Sequence, residues 1–160
     1  MIENVDQGWS VFPLAPGTKI PLFPSAHPEG DPLRGTCKGE CGRVGHGVYD
    51  ATKDPEKIRS WWTANPNANI GVATGAPSGF DVLDIDGEEG EASLAKLEAI
   101  HGKIPLTMTV RTPNGRHIYF KHTPGLVNGV KILPGLDIRT TGGYVVAPPS
   151  VVDSRTYGFN

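Results

Sequence analysis

Two aspartates separated by one residue are the side chains of this sequence best suited to chemistry. Asp84 and Asp86 lie in the segment VLDIDG (82–87), whose apolar residues predict a strand. Because side chains alternate along a strand, both carboxylates point to one face. Carboxylates this close repel each other unless a cation lies between them, and their hard oxygens suit Mg²⁺ or Mn²⁺. The pair is therefore a candidate metal site, with two solvated acids at a strand end as the alternative.

A histidine follows a tight turn further along the chain. His117 stands in RHIYF (116–120), directly after the turn formers PNG (113–115). A histidine in this position can hydrogen-bond a phosphate or act as a base. Strand alternation sends its neighbour Arg116 to the opposite face, which makes Arg116 the weaker candidate for a phosphate contact. A purely structural histidine is the alternative.

A third carboxylate occurs beside an arginine in GLDIR (135–139). Alternation places Asp137 and Arg139 on one face, next to the glycine-rich turn TGG (141–143). This pair fits a metal ligand beside a phosphate clamp, and an ordinary surface ion pair is the alternative. Lys19, in the opening loop, is either a further contact for phosphate or template or a solvated lysine.

Two cysteines and two histidines are concentrated in a loop-rich segment. His27, Cys37, Cys41 and His46 fall within residues 24–50, which contain many turn formers and no apolar periodicity. A Cys-x3-Cys pair with nearby histidines is compatible with a tetrahedral Zn²⁺ site. Such a metal would stabilise a segment that has no apolar core of its own. Free thiols and surface imidazoles are the alternative.

The elements that must position these residues alternate between strands and helices. Asp54 and Pro55 predict the start of a helix that buries Ile58, Trp61 and Trp62. A second helix, with Leu94, Leu97 and Ile100 on one stripe, ends at Gly102. The hairpin signal at 113–115 and the mixed order of elements predict an α+β fold, with a mixed or antiparallel sheet flanked by helices. The expected strands are 11–14, 69–73, 80–86, 107–112, 116–122, 136–139, 143–147 and 156–159, and the second helix spans 90–101.

Length and composition limit the class of protein. The 160 residues suit one domain with the 24–50 segment as an insertion, since domains cluster around about 100–150 residues. No apolar run is long enough for a membrane span and no secretory signal is visible, so a cytoplasmic setting is expected. The net charge is −2, but residues 81–91 carry only acids among their charged side chains, and residues 111–122 only bases. This polarity suits a site that holds cations on one side and phosphates on the other.

Several motifs in colinear order resemble one known family. The segments DID (84–86), GRH (115–117), GLDIR (135–139) and GGYVVAPPS (142–150) follow the opening VFPLAPGTKIPL and the stretch ATKDPEKIRSWWTANPNANIGVATG. Over residues 9–159 the chain resembles the bifunctional primase/polymerase domains of the archaeo-eukaryotic primase superfamily. The resemblance implies a primase-type catalytic fold.

The resemblance also implies roles for individual residues. Asp84 and Asp86 would be metal ligands, Asp137 the third carboxylate, and His117 a contact of the nucleotide triphosphate. Arg139, with Arg116, would help to grip that triphosphate beside a two-metal site for Mg²⁺ or Mn²⁺. The family often has Ser two residues before the histidine; this sequence departs from it with Gly115 in that place, where a backbone N–H can replace the hydroxyl. Relatives often carry a zinc-binding insertion.

The expected activity is template-directed synthesis or extension of primers on single-stranded DNA from dNTPs or NTPs. The sequence stops within a predicted strand at Tyr157–Asn160, and we expect a longer replication protein of a phage or plasmid, with a fused or associated helicase region. Two alternatives stay open: a sugar-nucleotide transferase with a D-x-D metal site, and a non-catalytic nucleic-acid module that depends on zinc.

Overall fold

The computed structural model describes residues 8–160, which form helices and antiparallel sheets. The helices are α1 (Pro55–Ala64) and α2 (Gly87–His101), and a short 3₁₀ helix spans Gly47–Asp50. The strands are β1 (Val11–Leu14), β2 (Asn69–Ala73), β3 (Phe80–Asp86), β4 (Thr109–Arg111), β5 (Gly115–Lys121), β6 (Gly129–Leu133), β7 (Leu136–Arg139), β8 (Tyr144–Ala147), β9 (Val151–Val152), β10 (Arg155–Thr156) and β11 (Gly158–Phe159).

The strands form two main sheets and a small hairpin. The larger sheet has the order β11-β4-β5-β3-β7-β6, so β3 lies in its interior between β5 and β7. The smaller sheet has the order β1-β2-β8, and β9 pairs with β10. Every pairing between these strands is antiparallel. The expected α+β class is confirmed, and the two sheets are antiparallel rather than mixed.

The two faces of β3 contact different hydrophobic clusters. Phe80 and Val82 belong to the larger cluster, which joins one face of the six-stranded sheet to the three-stranded sheet and to α1. Ile85 belongs to a smaller cluster with Leu94 of α2 and Leu136 of β7. Side chains alternate along β3, so Asp84 shares the face of Val82 and lies at the border of the larger cluster.

Helix α1 has the predicted cap and the predicted buried face. The Asp54 carboxylate accepts hydrogen bonds from the backbone N–H groups of Glu56 and Lys57, which the first turn of a helix leaves without partners. Ile58, Trp61 and Trp62 are buried as their spacing predicts. The two indoles are therefore core residues and not exposed platforms for bases.

Helix α2 differs from its prediction in its start and in its stripe. It begins at Gly87 rather than at residue 90, although it ends before Gly102 as expected. Its buried residues lie in the first half, and a Cβ on Gly90 would clash with the Gly135 carbonyl oxygen. The helix therefore packs on the sheet through its first two turns and through Leu97 in the third, which is partly buried as predicted. Ile100, in the last turn, is 75% exposed, so its predicted place on a buried stripe is wrong.

The short strands near the C-terminus were only partly predicted. The segment 156–159 divides at Tyr157, whose N–H donates to the Ser150 carbonyl, into β10, which pairs with β9, and β11, which pairs with β4. Strand β6 was missed because GVKIL has no clear alternation, and its pairing with β7 is irregular. Within residues 8–160, neither helix is long and apolar enough to cross a bilayer.

Candidate active site

Three candidate site residues lie side by side on the interior strands of the larger sheet. Asp84 on β3 is directly opposite His117 on β5 and directly opposite Asp137 on β7. Directly opposed residues of antiparallel strands project to the same face, so the three side chains share one face. Asp86, two residues after Asp84, shares that face by alternation.

A cavity of about 380 Å³ opens at this face. Asp84 and His117 line its floor, and Lys19 and Arg139 bring two cationic side chains to it. The remaining lining residues are Asn128, Gly142, Gly143, Tyr144, Val145, Val146 and Tyr157. A space of this size with two cations and one carboxylate suits an anionic ligand of small-molecule dimensions.

A second cavity of about 730 Å³ holds the acidic side chains. Asp86 and Asp137 line it together with Glu88, Glu89 and Lys131. Most acidic side chains of residues 81–91 that line a cavity are therefore found in the second cavity, as expected for an acidic side. The origin of the basic side chains differs from the expectation, which placed them in residues 111–122. Lys19 and Arg139 supply the cations of the first cavity, and His117 is the one residue of 111–122 that lines it.

His117 is a buried residue paired with the central aspartate. Its side chain is 6% exposed, and Nε2 lies 3.4 Å from Asp84 Oδ1. The ring of Tyr157 packs against it, with 6.0 Å between ring centroids. Its Nδ1 atom is buried without a hydrogen-bond partner among the described residues. The histidine therefore presents its ring to the cavity from a fixed position beside Asp84.

The surroundings of Asp84 favour its charged form. Burial is the largest single influence and raises the pKa of Asp84, but a hydrogen bond from His117 and the charges of His117, Arg139 and Lys19 together outweigh it and lower that pKa. Burial raises the pKa of the Tyr157 phenol to about 12. At neutral pH the site therefore combines an ionised carboxylate with a protonated phenol.

Asp137 is held by two neighbours. Its Oδ2 atom accepts a hydrogen bond from Arg139 Nη2 at 2.7 Å, and its Oδ1 atom accepts one from the Lys131 backbone N–H. The predicted association of Asp137 with Arg139 is thus observed as an ion pair. Arg139 also lines the first cavity, so it lies between the aspartate and the cationic pocket.

Arg116 is not brought to this face. It donates two hydrogen bonds to Glu91 of α2, from Nε at 2.7 Å and from Nη2 at 2.8 Å. This bidentate pair lies on the helix side of the sheet, as strand alternation predicted. The structure therefore separates Arg116 from the group formed by Asp84, His117 and Arg139.

Gly115 corrects one expectation from the sequence. Its N–H donates to Thr112 Oγ1 at 2.9 Å, so it is not free to replace a serine hydroxyl. A Cβ at this position would clash with the Ile85 carbonyl oxygen, because β3 and β5 approach closely here. The glycine thus serves the packing of the two strands.

The donor types of the three aspartates fit Mg²⁺ or Mn²⁺, since all are hard carboxylate oxygens on one face. Among residues 8–160, however, Asp84, Asp86 and Asp137 do not form a group whose ligand atoms already converge. The contacts of Asp137 with Arg139 and of Asp84 with His117 explain this spread, because each carboxylate is engaged by a neighbouring donor. Like charges also repel one another in the absence of a cation.

Three residues of this region had no individual signal in the sequence. Tyr157 and Tyr144 join the cavity from segments that the sequence assigns only to short strands. Asn128 accepts a hydrogen bond from the Thr140 N–H and donates one to the Thr141 carbonyl, so it holds the turn at the cavity rim. Their roles depend on contacts between distant segments, which no local spacing reveals.

The cysteine and histidine side chains of the loop segment come together as predicted. One potential ligand atom from each of His27, Cys37, Cys41 and His46 lies within 4.8 Å of the others. Cys41 Sγ is 3.4 Å from His46 Nε2. Two sulfurs and two imidazole nitrogens match the donor set of a structural zinc site. The fit of this cluster to zinc therefore rests on both donor type and proximity.

Carboxylates contact the outer nitrogen of each histidine in this cluster. Asp31 Oδ2 is 2.9 Å from His27 Nδ1, which leaves the buried Nε2 atom without a partner among the described residues. Asp50 Oδ1 is 3.5 Å from His46 Nδ1, too far for a well-formed hydrogen bond. Carboxylates in these positions orient metal-binding imidazoles.

The surroundings of Cys41 favour its thiolate form over the neutral thiol. A hydrogen bond from the Arg43 backbone is the main reason that the pKa of Cys41 falls to about 6. Contacts with the side chains of Arg43, Cys37 and His27 act in the same direction. The thiolate is the form that binds metals.

Comparison with known families agrees with the motifs and the site. The model of the family described as bifunctional DNA primase/polymerase, N-terminal, matches residues 2–160. The chain therefore belongs to the bifunctional DNA primase/polymerase family, as its sequence motifs predicted. A search of curated proteins found no match.

Proposed function

We propose that this domain is a template-directed nucleotidyltransferase that synthesises or extends primers on single-stranded DNA, built on the primase-type catalytic fold. The observation that carries the proposal is the alignment of Asp84 with His117 and Asp137 on three adjacent strands, where Asp84 and His117 line a cavity that also contains Lys19 and Arg139. Membership of the primase/polymerase family supports the same activity.

Asp84, Asp86 and Asp137 would hold the divalent cations. Bound Mg²⁺ or Mn²⁺ would supply charge neutralisation and alignment for transfer of a nucleotidyl group to a 3′-hydroxyl. The ionised state of Asp84 at neutral pH supports its assignment as a ligand. Asp86 is exposed and, as far as residues 8–160 show, accepts no capping hydrogen bond from α2, so its oxygens are available.

The cationic side chains of the first cavity would bind the triphosphate. Arg139 and Lys19 supply positive charge to the first cavity, and Arg139 is also paired with Asp137, which lines the acidic cavity. His117 would donate to a phosphate oxygen from its position beside Asp84. We leave Arg116 out of this assignment because Glu91 engages it on the helix side of the sheet.

An incorporation assay tests the activity directly. The protein is incubated with single-stranded DNA, Mn²⁺ and one labelled dNTP or NTP at a time, and in parallel with labelled sugar nucleotides. We expect extension products with nucleoside triphosphates and no glycosyl transfer. Transfer of sugar alone would favour the D-x-D glycosyl reaction, and DNA binding without any incorporation would favour a non-catalytic module.

We also propose that the cysteine/histidine cluster binds one zinc ion through His27, Cys37, Cys41 and His46. The convergence of their ligand atoms supports this assignment. Elemental analysis of protein purified without chelator should find about one equivalent of zinc, and a Cys37→Ser variant should lose it. A content far below one equivalent, unchanged in that variant, would contradict the assignment.

The biological setting is a further part of the proposal. We propose that residues 1–160 act as one catalytic domain with a fused or associated helicase region, in phage or plasmid replication. The family resemblance supports this, and so does the net charge of −2, because single-stranded template is usually held by a basic groove. Sequencing the full reading frame and its neighbourhood tests it, and the absence of any replication gene there would contradict it.

A further inference from the structure

One aromatic side chain stays exposed next to the first cavity. Tyr49 lies in the 3₁₀ helix Gly47–Asp50 and is 46% exposed, whereas the neighbouring Asp50 is buried. Among residues 8–160, Tyr49 and Phe159 are the large aromatic side chains with this degree of exposure. Single exposed aromatic rings are common on protein surfaces, so the position of Tyr49 beside the cavity matters more than its exposure.

The hydroxyl end of Tyr49 reaches the rim of the cavity. A Cβ atom placed on Gly142 would lie 3.5 Å from the Tyr49 hydroxyl oxygen, and Gly142 lines the cavity that contains Asp84 and His117. On the ring itself, Lys38 Nζ lies 5.4 Å from the centroid, a cation–π distance. The ring therefore lies at the mouth of the cavity, and the ammonium group of Lys38 contacts the ring.

The loop that contains the cysteine/histidine cluster holds this ring in place. The Tyr49 N–H donates to the His46 carbonyl at 3.3 Å. The adjacent Asp50 carboxylate accepts hydrogen bonds from the backbone N–H groups of Gly45 and His46 at 2.8 and 2.9 Å. The residues that gather the cluster therefore also fix the backbone of Tyr49.

We propose that Tyr49, supported by Lys38, stacks on a nucleobase at the mouth of the cavity. If the cations of the cavity hold phosphates, a base attached to them emerges at the rim where this ring stands. Aromatic rings bind bases of any sequence through their π-faces, and a nearby cation strengthens the contact. The base belongs either to the incoming nucleotide or to the template strand, and this inference rests on the function proposed above.

The test compares Tyr49→Ala and Tyr49→Leu with Tyr49→Phe, which keeps the ring and removes the hydroxyl. Ile100→Ala, at an exposed apolar position on α2, is the control for loss of exposed surface. One arm measures binding of a fluorescein-labelled single-stranded oligonucleotide and of an abasic oligonucleotide of the same length. The other arm measures KM for a dNTP at saturating template. Zinc content and thermal midpoint are recorded for every variant.

We expect Tyr49→Ala and Tyr49→Leu to lose about 5-fold or more in one arm, and Tyr49→Phe and Ile100→Ala to match the wild type. If only the binding of the normal oligonucleotide weakens, the stacked base belongs to the template. If only the KM for the dNTP rises, the stacked base belongs to the incoming nucleotide. Equal behaviour of Tyr49→Ala and wild type in both arms would overturn the proposal. So would an equal loss with the abasic oligonucleotide, or a loss in Tyr49→Phe as large as in Tyr49→Ala.

The failure of this inference differs from failure of the proposed function. If the wild-type protein incorporates no nucleotide under any condition, the proposed function fails, while the oligonucleotide arm still reports on base stacking. If the wild type incorporates nucleotides and Tyr49→Ala behaves like it in both arms, the stacking role alone fails.

Discussion

The two candidate metal regions of this domain are assembled in different ways. The cysteine/histidine cluster takes its donors from 20 consecutive residues, His27 to His46, and its ligand atoms already lie within 4.8 Å of one another. The aspartate face takes its donors from two strands that are about 50 residues apart in sequence. Its carboxylates share a face but do not converge among the described residues.

The charge of the donors accounts for this difference. An imidazole can approach a thiol or a thiolate closely without like-charge repulsion, and Asp31 and Asp50 flank the two histidines of the cluster. Three carboxylates repel one another until a cation is present, and Asp84 and Asp137 are each paired with a basic side chain meanwhile. This contrast supports the proposals that the cluster holds a structural zinc ion and that the aspartate face binds the catalytic cations.

The largest expected effect separates catalysis from zinc binding. We expect Asp84→Asn, Asp86→Asn and Asp137→Asn each to reduce nucleotide incorporation by at least about 10²-fold, because catalysis at such sites is mainly electrostatic. Zinc content and thermal midpoint should be unchanged. Steady-state incorporation with Mn²⁺ measures the loss.

Glu88→Gln is the matched control for this series, since Glu88 lines the same acidic cavity but is not a proposed ligand. It should keep most of the activity. An aspartate variant with activity near the wild type would remove that residue from the metal site. Loss of zinc in any of the three would show that the two regions are coupled.

The next effect concerns the carboxylates behind the zinc ligands. We expect Asp31→Asn to weaken zinc binding by about 10–100-fold, because its carboxylate hydrogen-bonds the outer nitrogen of His27. Asp50→Asn should also weaken it, because the Asp50 carboxylate holds the backbone N–H groups of Gly45 and His46 beside the cluster. Competition with a chromophoric chelator measures the affinity. Glu29→Gln, at an exposed acid of the same loop, should leave it unchanged. Equal affinity in all three variants would remove the supporting role of Asp31 and Asp50.

A third prediction distinguishes a structural aspartate of β3 from the aspartates proposed as metal ligands. The Asp81 carboxylate is buried and accepts hydrogen bonds from Thr140 Oγ1, the Thr123 N–H and His122. We expect Asp81→Asn to lower the free energy of unfolding by about 2 kcal/mol at pH 7, since buried polar groups would lose their partners. Asp86→Asn, at an exposed position, should change it by less than about 0.5 kcal/mol.

The effect of Asp81 should also depend on pH. Burial raises the pKa of Asp81, but the hydrogen bonds from Thr140, His122 and Thr123 outweigh it and lower that pKa. A lowered pKa means that the stabilisation is complete above the ordinary value of about 4 and is lost as the pH falls through the native value. Urea unfolding at pH 7 and at pH 3 should therefore show a smaller difference between wild type and Asp81→Asn at pH 3. A difference that grows on acidification would contradict this network.

The smallest expected effect is a change in the salt dependence of binding, which tests whether phosphates contact the first cavity rather than the 24–50 loop. With a net charge of −2, we expect weak binding of single-stranded DNA that falls steeply as salt rises. For binding of a labelled nucleoside triphosphate, whose phosphates Lys19 is proposed to contact, Lys19→Gln should reduce the slope of log affinity against log salt by about 1, and Arg34→Gln in the loop should leave it unchanged. Fluorescence anisotropy at low and moderate salt measures both slopes. Nanomolar binding that is indifferent to salt would contradict the electrostatic account.

Much of the fold was readable from local sequence because its signals are local. The cap at Asp54, the buried face of α1, the bounds of β2 and β3 and the stop at Gly102 depend on residues within a few positions of each other. Other features depend on distant contacts. How far the helix covers the sheet decides the start of α2 and the exposure of Ile100, and the strand that each segment meets decides the division of residues 155–159. Those are contacts between distant segments, so local patterns predicted them poorly.

The same division applies to the site. By itself the sequence identified the candidate residues for the chemistry and the face of its own strand that each occupies, since strand alternation is a property of the backbone. It also separated Arg116 from His117. Only the tertiary structure decided that Asp84 stands between His117 and Asp137, and that Lys19 and Tyr157 reach the same cavity. It likewise decided that Gly115 has no free N–H and that Tyr49 stands at the cavity rim. Strand register and loop placement follow from packing over the whole domain, because each pairing must also bury the apolar side chains of its neighbours.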